Sequence, residues 1–179
     1  LHGVVVLDLI LDAHDFLNDV QAKGALACLV SSVEKLPQGF PAIVVKDTQQ
    51  ALQALSSKWK QYCDQRKLRQ VVIVTGSNGK TTVKGMIQSI FEAAVGVDKA
   101  LATQGNFNNE IGLPLTLLRL DLNHELAVIE LGMNHPGETA LLANIAKPTI
   151  ALINNAQREH QEFMETVDAV AKEHALAIE

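Results

Sequence analysis

The stretch VVIVTGSNGKTTVK, residues 71–84, joins an apolar strand to a helix through a glycine-rich turn. Its first four residues are β-branched and unbroken, as is typical of a strand covered by helices on both faces. In such a turn backbone N–H groups attract phosphate, a lysine can reach the outer phosphates and a threonine hydroxyl can bind magnesium. The predicted nucleotide-binding residues are Gly76, Ser77, Asn78, Gly79, Lys80, Thr81 and Thr82.

The match to the general P-loop pattern is partial. That pattern has its first glycine five positions before the glycine that precedes the lysine, and Val74 stands there. In the alternative interpretation, Gly76 and Gly79 serve only the backbone geometry of a strand-to-helix turn. The lysine and the paired threonines follow where phosphate binding needs them, so we favour a site for a nucleoside triphosphate.

The composition is that of a folded protein and argues against several kinds of partner. Of the 179 residues, 47% are hydrophobic and 20% are charged, which is ordinary for a globular chain. The net charge is −5 and the basic residues are scattered, so nucleic acid is not an expected partner. Cys28 and Cys63 lack metal or disulfide spacing, which fits a reducing cytoplasm. The apolar residues 4–11 are too few to cross a membrane, and no oligomeric state is indicated.

The chain is predicted to form two α/β domains, residues 1–70 and 71–179. The charged segment 63–70 lacks periodicity and is the expected linker. After it, strands at 71–74, 126–130 and 149–153 alternate with helices at 81–94, 137–146 and from about 166, which predicts a mostly parallel sheet flanked by helices. Because the chain begins at Leu1 and ends inside a predicted helix, we expect the first domain to be incomplete at its start and the second to be truncated.

One helix of the first domain has a marked apolar stripe. It is predicted to begin at Asp47 or Thr48, and the stripe consists of Leu52, Leu55, Trp59 and Tyr62. We therefore expect Trp59 and Tyr62 to lie in the core rather than to stack on a base.

Glu130 ends the apolar strand LAVIE, residues 126–130. Phosphoryl-transfer sites use such an acid as a ligand of the nucleotide-bound Mg²⁺. An acid at a strand end often has no function, but ligands of parallel sheets gather at the carboxyl ends of the strands. The phosphate-binding turn in the same predicted sheet therefore makes Glu130 a candidate magnesium ligand.

Two further segments, 105–114 and 132–138, are rich in amides and turn-forming residues. Taken alone, each is predicted to be a loop, with Asn134 as a possible helix cap and His135 as a solvated side chain. Neither would define a site without the phosphate-binding turn.

Together the motifs TGSNGKTT (75–82), GNFNNEIGLP (105–114), VIELGMNHPGE (128–138) and LINN (152–155), the last ahead of His160, resemble the Mur ligase family. The run DAHDF at 12–16 looks like the family's uridine-binding domain, so the resemblance covers about residues 12–179. Within the family the motifs are most similar to members that join D-alanyl-D-alanine to UDP-N-acetylmuramoyl-tripeptide in peptidoglycan synthesis. The resemblance implies two of three domains, the second in part.

The resemblance implies an ATP-dependent ligase. ATP would phosphorylate the terminal carboxylate of the tripeptide, and the amine of D-alanyl-D-alanine would attack the acyl phosphate to form an amide. By resemblance, Lys80 would hold the β and γ phosphates, Thr81 and Glu130 would bind one Mg²⁺, and His160 would bind a second. Two amide side chains would help to hold nucleotide and substrate, Asn108 and Asn109. Magnesium prefers oxygen ligands, so without the family His160 would be interpreted as a loop residue.

Two departures from the family pattern leave questions open. The family usually has a Gly-Glu-Arg-like segment before DAHDF, where this chain has DLIL at 8–11, so the resemblance to the UDP-sugar-binding domain does not include that segment. Many members also have a carbamylated, metal-binding lysine in the helix after His160. Here His174 fits that position best, because Lys172 is two residues early and about 200° away around a helix. The alternatives are another Mur or folylpolyglutamate-type amide ligase, and an ATP-binding fragment without catalysis.

Overall fold

The computed structural model of the chain describes residues 12–159 and 162–178. The DLIL segment and His160 therefore lie outside the described residues. Contacts divide the chain into two compact units, one ending at Leu52 and the other starting at Gln53. The domain boundary near residue 70 stays a prediction. In the part of the chain that is described, no helix is long and apolar enough to span a membrane.

The first unit contains a small parallel sheet. A 3₁₀ helix, Ala13–Phe16, leads into α1, Leu17–Ala22, and the paired parallel strands are β1, Cys28–Val30, and β2, Ala42–Val44. Helix α2, Thr48–Asp64, begins in this unit, and the Asp47 carboxylate caps it by accepting from Gln50 N at 2.8 Å. The buried core of this unit consists of Leu17, Cys28, Val30 and Phe40.

The polar side chains of the DAHDF run bond to each other and to residues of the same unit. His14 Nδ1 lies 2.6 Å from Asp12 Oδ1, and His14 Nε2 accepts from Ser31 N at 3.2 Å. Lys35 donates to Asp12 at 2.8 Å and to Asp15 at 2.5 Å. Hydrogen bonds from Lys35 and His14 hold the pKa of Asp12 well below its usual range. The motif is therefore ordered by a charged network on the surface of its unit.

The second unit is a four-stranded parallel sheet with helices on both faces. Its elements after α2 are β3 at Gln70–Thr75, α3 at Lys80–Val95, β4 at Ala100–Ala102, α4 at Gly112–Leu118, β5 at Leu126–Glu130, α5 at Glu138–Ala146, β6 at Ile150–Ile153 and α6 at Val167–Ala175. The strand order is β4-β5-β3-β6, and each neighbouring pair is parallel. The α/β class and the parallel sheet are confirmed.

Both faces of β3 are buried, which explains its uninterrupted β-branched sequence. Val71 and Ile73 belong to a core that contains side chains of α4 and α5. Val72 and Val74 belong to a second core, against which α3 packs. The strand that carries the phosphate-binding turn therefore lies in the middle of the unit, covered by helices from both sides.

The structure corrects the prediction of a loop over residues 105–114. Helix α4 begins at Gly112, so the last three of these residues are helical. Asn109 Oδ1 accepts from Gly112 N at 2.8 Å and caps this start. Pro114 is tolerated because the first turn of a helix does not need its N–H groups. The short strand β4 was also not predicted, because three residues of sequence ALA carry no strand pattern.

Only part of the apolar stripe of α2 is buried. Trp59 packs on the core of the second unit, and its Nε1 donates to Leu120 O at 2.8 Å. The prediction of a core position for Tyr62 is wrong: its ring is exposed, stacks on Trp59 at 5.5 Å, and lies beneath the Arg66 guanidinium. The pattern misled because the polar residue Lys60 is buried.

Candidate active site

The predicted phosphate-binding turn connects β3 to α3 in the structure. Gly76 has φ +129° and Gly79 has φ +76°, backbone angles that residues other than glycine rarely adopt. A Cβ atom on Gly76 would lie 2.9 Å from both N and O of Asn155. Gly76 is therefore required both by its own backbone and by the close approach of the segment that follows β6.

Amide groups after β6 brace this turn. Ser77 N donates to Asn155 O at 3.1 Å, and Asn78 N donates to Asn155 Oδ1 at 3.0 Å. Asn154 Nδ2 donates to Asn78 O at 2.6 Å, and Gln157 N donates to Ser77 Oγ at 2.8 Å. Sequence reasoning placed Asn154 and Asn155 in a family motif but missed that they hold the shape of the turn.

The first turn of α3 presents the remaining phosphate-binding candidates. The Lys80 ammonium donates to Gly76 O at 2.5 Å and to Ser77 O at 3.3 Å, so it lies folded over the turn. Thr81 and Thr82 are exposed, and no side chain of the described residues caps the start of the helix. Because the first N–H groups of a helix have no partner within it, they and the Lys80 ammonium can bind phosphate oxygens.

Glu130 ends β5, directly beside the phosphate-binding strand, with Val74 as its partner in the sheet register. Its side chain is only 3% exposed, and Oε1 accepts from Asn108 Nδ2 at 3.0 Å. The other oxygen, Oε2, is buried without a hydrogen-bond partner among the described residues. An unpaired buried carboxylate oxygen is costly, so this residue fits a cation ligand.

The donor set suits magnesium in particular. Mg²⁺ is commonly held by one or two carboxylates together with waters and substrate phosphates. Within residues 12–159 and 162–178, no three His, Cys, Asp or Glu side chains converge on one point. Glu130 and the Thr81 hydroxyl are thus candidate oxygen ligands, and the second site proposed on His160 lies outside the described residues.

The two predicted amides, Asn108 and Asn109, have different surroundings. Asn108 orients Glu130, and its own backbone O accepts from Gly132 N at 2.8 Å. A Cβ on Gly132 would come within 2.9 Å of Asn108 Oδ1, so glycine there leaves room for the amide. Asn109 Oδ1 is taken by the cap of α4. Their contacts to nucleotide and substrate stay predictions.

His174 is buried and both of its ring nitrogens have partners. Nδ1 lies 2.9 Å from Thr75 Oγ1, and Nε2 lies 2.8 Å from Glu159 Oε1. It therefore ties α6 to the last residue of β3 and to the residue before His160. Lys172 is 78% exposed and pairs with Asp168 at 2.8 Å, so it faces away from these groups.

Neighbouring Glu173 occupies the start of α5. Its carboxylate oxygens accept from Gly137 N at 2.9 Å and Thr139 N at 3.0 Å. The residue at the cap position of α5 is Gly137, so the prediction that Asn134 caps this helix is wrong. His135 is exposed, as predicted, and its Nδ1 lies 2.8 Å from Glu138 Oε1.

Comparisons with known proteins identify the family of this chain. The family model of the Mur ligase middle domain matches residues 74–178. The UDP-N-acetylmuramoyl-tripeptide–D-alanyl-D-alanine ligase of Haemophilus influenzae is 45% identical over 152 residues, and that of Escherichia coli is 43% identical over 161 residues. These matches cover 84% and 90% of this chain but 32% and 34% of the relatives. The chain thus spans about a third of their length.

Solved structures agree with the sequence comparisons. A crystal structure of MurF from Acinetobacter baumannii matches with a TM-score of 0.84 and 33% identity, covering 97% of this chain and 37% of that one. MurF from Thermotoga maritima, solved in complex with ADP, matches with a TM-score of 0.82 and 29% identity, covering 98% of this chain and 39% of that one.

Proposed function

Because the chain belongs to the Mur ligase family, we propose that it carries the nucleotide-binding part of an ATP-dependent ligase that joins D-alanyl-D-alanine to UDP-N-acetylmuramoyl-tripeptide. The names of its relatives support this choice of substrates. Since the chain spans about a third of their length, the activity belongs to the full-length protein. The observation that supports the proposal most is the buried Glu130 Oε2, which has no hydrogen-bond partner among the described residues and belongs to the strand beside the phosphate-binding turn.

The proposed roles of the residues follow from their positions. The N–H groups at the start of α3 and the Lys80 ammonium bind the β and γ phosphates. Glu130 and the Thr81 hydroxyl hold one Mg²⁺, and Asn108 keeps the Glu130 carboxylate in place through the 3.0 Å hydrogen bond. When bound, Mg²⁺ would neutralise charge on the phosphates. A second Mg²⁺ on His160 and nucleotide or substrate contacts by Asn109 belong to the same proposal.

The reaction itself needs positioning more than covalent chemistry from the protein. A carboxylate oxygen of the tripeptide attacks the γ-phosphorus of ATP, and ADP leaves. The amine of D-alanyl-D-alanine then attacks the acyl carbon, forms the amide and displaces inorganic phosphate. Lys80 and the helix N–H groups offset the negative charge that these oxygens bring together. We propose a cytoplasmic location, which is consistent with the use of ATP and of a nucleotide-linked substrate.

A ligation assay with the full-length protein tests this proposal. We expect an amide product from ATP, Mg²⁺, UDP-N-acetylmuramoyl-tripeptide and D-alanyl-D-alanine, with release of ADP and phosphate. Turnover with glutamate or lysine instead of the dipeptide would indicate another Mur or folylpolyglutamate-type ligase. Nucleotide binding without any product would favour a non-catalytic ATP-binding protein.

A lysine pair tests the nucleotide site in the same protein. Lys80→Ala removes the ammonium from the turn, so we expect nucleotide affinity to fall by about tenfold or more, the value of a charge-assisted hydrogen bond. Lys58→Ala is the matched control, because the Lys58 side chain is exposed and, among the described residues, bonds only to Gln61. Unchanged ATP affinity in Lys80→Ala would contradict the phosphate-binding role of the turn.

A further inference from the structure

Lys84 is a buried lysine that the site described so far does not use. It lies one turn after Lys80 in α3, and its side chain belongs to a residue only 8% exposed. Its ammonium donates to Thr103 O at 2.9 Å. Across residues 12–159 and 162–178 no carboxylate forms an ion pair with it. An ammonium has three donor hydrogens, so a single carbonyl leaves most of its bonding capacity unused.

A second buried lysine in the same unit shows the usual solution. Lys60 is 2% exposed, and its ammonium bonds to Lys147 O at 2.5 Å and pairs with Asp64 at 2.9 Å. Buried charges are normally paired in this way, because removing a charge from water is costly without a partner of opposite sign. Lys84 has no such carboxylate among the described residues, so its surroundings favour an anion from outside this part of the chain.

One residue links Lys84 to the candidate magnesium ligand. Thr103 follows β4, and its backbone O accepts from Lys84 Nζ while its Oγ1 accepts from Glu130 N at 2.9 Å. Strands β4 and β5 are neighbours, so these groups lie together at the carboxyl edge of the sheet. Side chains of a helix lean toward its N-terminus, which brings the Lys84 stem toward the end of α3 that carries Lys80 and Thr81.

We propose that Lys84 is a second phosphate-binding cation, which contacts the terminal phosphoryl group of the nucleotide as that group passes to the acceptor carboxylate. This inference rests on the proposed function, since it needs ATP at the turn between β3 and α3. Lys80 bonds to the turn itself, whereas Lys84 bonds to Thr103, the residue whose hydroxyl accepts from Glu130 N. Lys84 is thereby a catalytic residue that recognises the group lost when ATP becomes ADP.

The competing interpretation is that Lys84 only fastens the end of β4 through Thr103 O. The two roles differ in which nucleotide they affect. A lysine that contacts the terminal phosphoryl group contributes to the affinity for ATP but not to that for ADP, whereas a structural role changes both affinities together or neither. The ratio of the two affinities therefore isolates the proposed contact from any effect on folding.

The test measures calorimetric affinities of the full-length protein, with Mg²⁺ present, for ADP and for a non-hydrolysable ATP analogue. Lys84→Met should lower the affinity for the analogue by about tenfold, the value of a charge-assisted hydrogen bond, and leave that for ADP unchanged. Lys84→Arg should restore part of the preference. Lys60→Met is the matched control, because it removes a buried lysine from a different environment and should leave the ratio unchanged.

An unchanged ratio in Lys84→Met, or an equal loss of affinity for both nucleotides, would overturn the inference and leave Lys84 as a structural residue. If Lys84→Met does not fold, Lys84→Gln carries the same expectation with a polar side chain. Failure of the wild-type protein to bind either nucleotide would overturn the proposed function and this inference with it. Binding by the wild type with an unchanged ratio in the variant overturns the inference alone.

Discussion

The two edges of the four-stranded sheet differ in whether their charged side chains have partners of opposite charge. At the amino edge Glu125, just before β5, pairs with Arg69 at 2.8 Å and Lys99 at 3.0 Å, residues that directly precede β3 and β4. At the carboxyl edge, Glu130 Oε2 and Lys84 lack oppositely charged partners in the described part of the chain. Charges that are paired within the fold need no ligand to stabilise them. Unpaired buried charges are typical of sites where a ligand supplies the opposite charge.

The largest effect is expected when a carboxylate is replaced at the carboxyl end of β5, with the same substitution just before the start of this strand as its control. Glu130→Gln removes the proposed magnesium ligand, so the Mg²⁺ concentration needed for nucleotide binding should rise by about a hundredfold, since even outer-shell partners of metals contribute up to that factor. Removing an unpaired buried carboxylate should leave the unfolding temperature equal or higher. Magnesium titration and thermal unfolding measure both effects.

Glu125→Gln is the control for that change, because it removes a carboxylate from the opposite end of the same strand. It should leave the Mg²⁺ requirement unchanged. If the two variants respond alike to Mg²⁺, or if Glu130→Gln keeps the wild-type requirement, Glu130 is not a ligand and the contrast between the edges has no functional meaning.

Gly76→Ala tests whether the carboxyl edge depends on backbone strain. A Cβ would lie 2.9 Å from Asn155 N and O at φ +129°, so we expect a loss of about 3 kcal/mol from strain and overpacking. Gly85→Ala in α3 is the control. Beyond its neighbours in the helix, none of the described residues lies within 4 Å of the Cβ position at Gly85, and alanine in a helix should raise the free energy of unfolding by about 0.5–1 kcal/mol. Chemical denaturation measures both; equal stability of the two variants would contradict the tight approach of Asn155.

Lys60→Met tests whether a buried but paired lysine serves stability alone. The variant leaves Lys147 O without its donor, while Asp64 remains accessible to water. We therefore expect a loss of about 1–2 kcal/mol in the free energy of unfolding, the cost of leaving a partly buried acceptor without its donor. Nucleotide affinity should not change. A fall in nucleotide affinity without a fall in stability would be the opposite of this expectation.

The smallest expected effect concerns acid stability at the amino edge. The hydrogen bond from Lys99 holds the pKa of Glu125 below its ordinary value. Because the folded pKa is lower than the unfolded one, its stabilising contribution is present above about pH 4.3 and is lost as pH falls through the folded pKa. Unfolding midpoints between pH 3 and 7, at low salt, should therefore depend less on pH in Glu125→Gln. A pH dependence identical to wild type would reject this ion pair as a contributor.

Local sequence patterns predicted the parts of the fold that short-range chemistry controls. The β-branched run became β3, and the glycines with the following lysine became the turn and the start of α3, since each conformation is favoured by adjacent residues. Sequence patterns gave wrong predictions where contacts between distant residues determine which side chains are buried. Tyr62 matched the apolar stripe of α2 yet is exposed, because the buried face of that helix includes Lys60, which finds a carbonyl in a residue far along the chain.

The candidate site shows the same division. Glu130 could be predicted from its position after an apolar strand, but its unpaired oxygen depends on Asn108, which takes the other oxygen, and on Thr103, which takes the backbone N–H. His174 was noted only as a departure from the family. Its partners, Thr75 and Glu159, could not be inferred, because hydrogen bonds between separate elements leave no periodic signal.

The amino-acid sequence alone is enough to predict a parallel α/β sheet with a phosphate-binding turn and to identify the motifs of the Mur ligases. Those features depend on residue type and spacing within single elements, where backbone sterics and hydrophobic periodicity act directly. The tertiary structure adds which charged side chains are buried and which distant groups they contact. Lys60 and Lys84 are both helical lysines, and the partner of Lys60, Asp64, lies one turn along the same helix. The burial of both lysines and their carbonyl partners, Lys147 O and Thr103 O, depend on contacts between separate elements, which leave no local signal in the sequence.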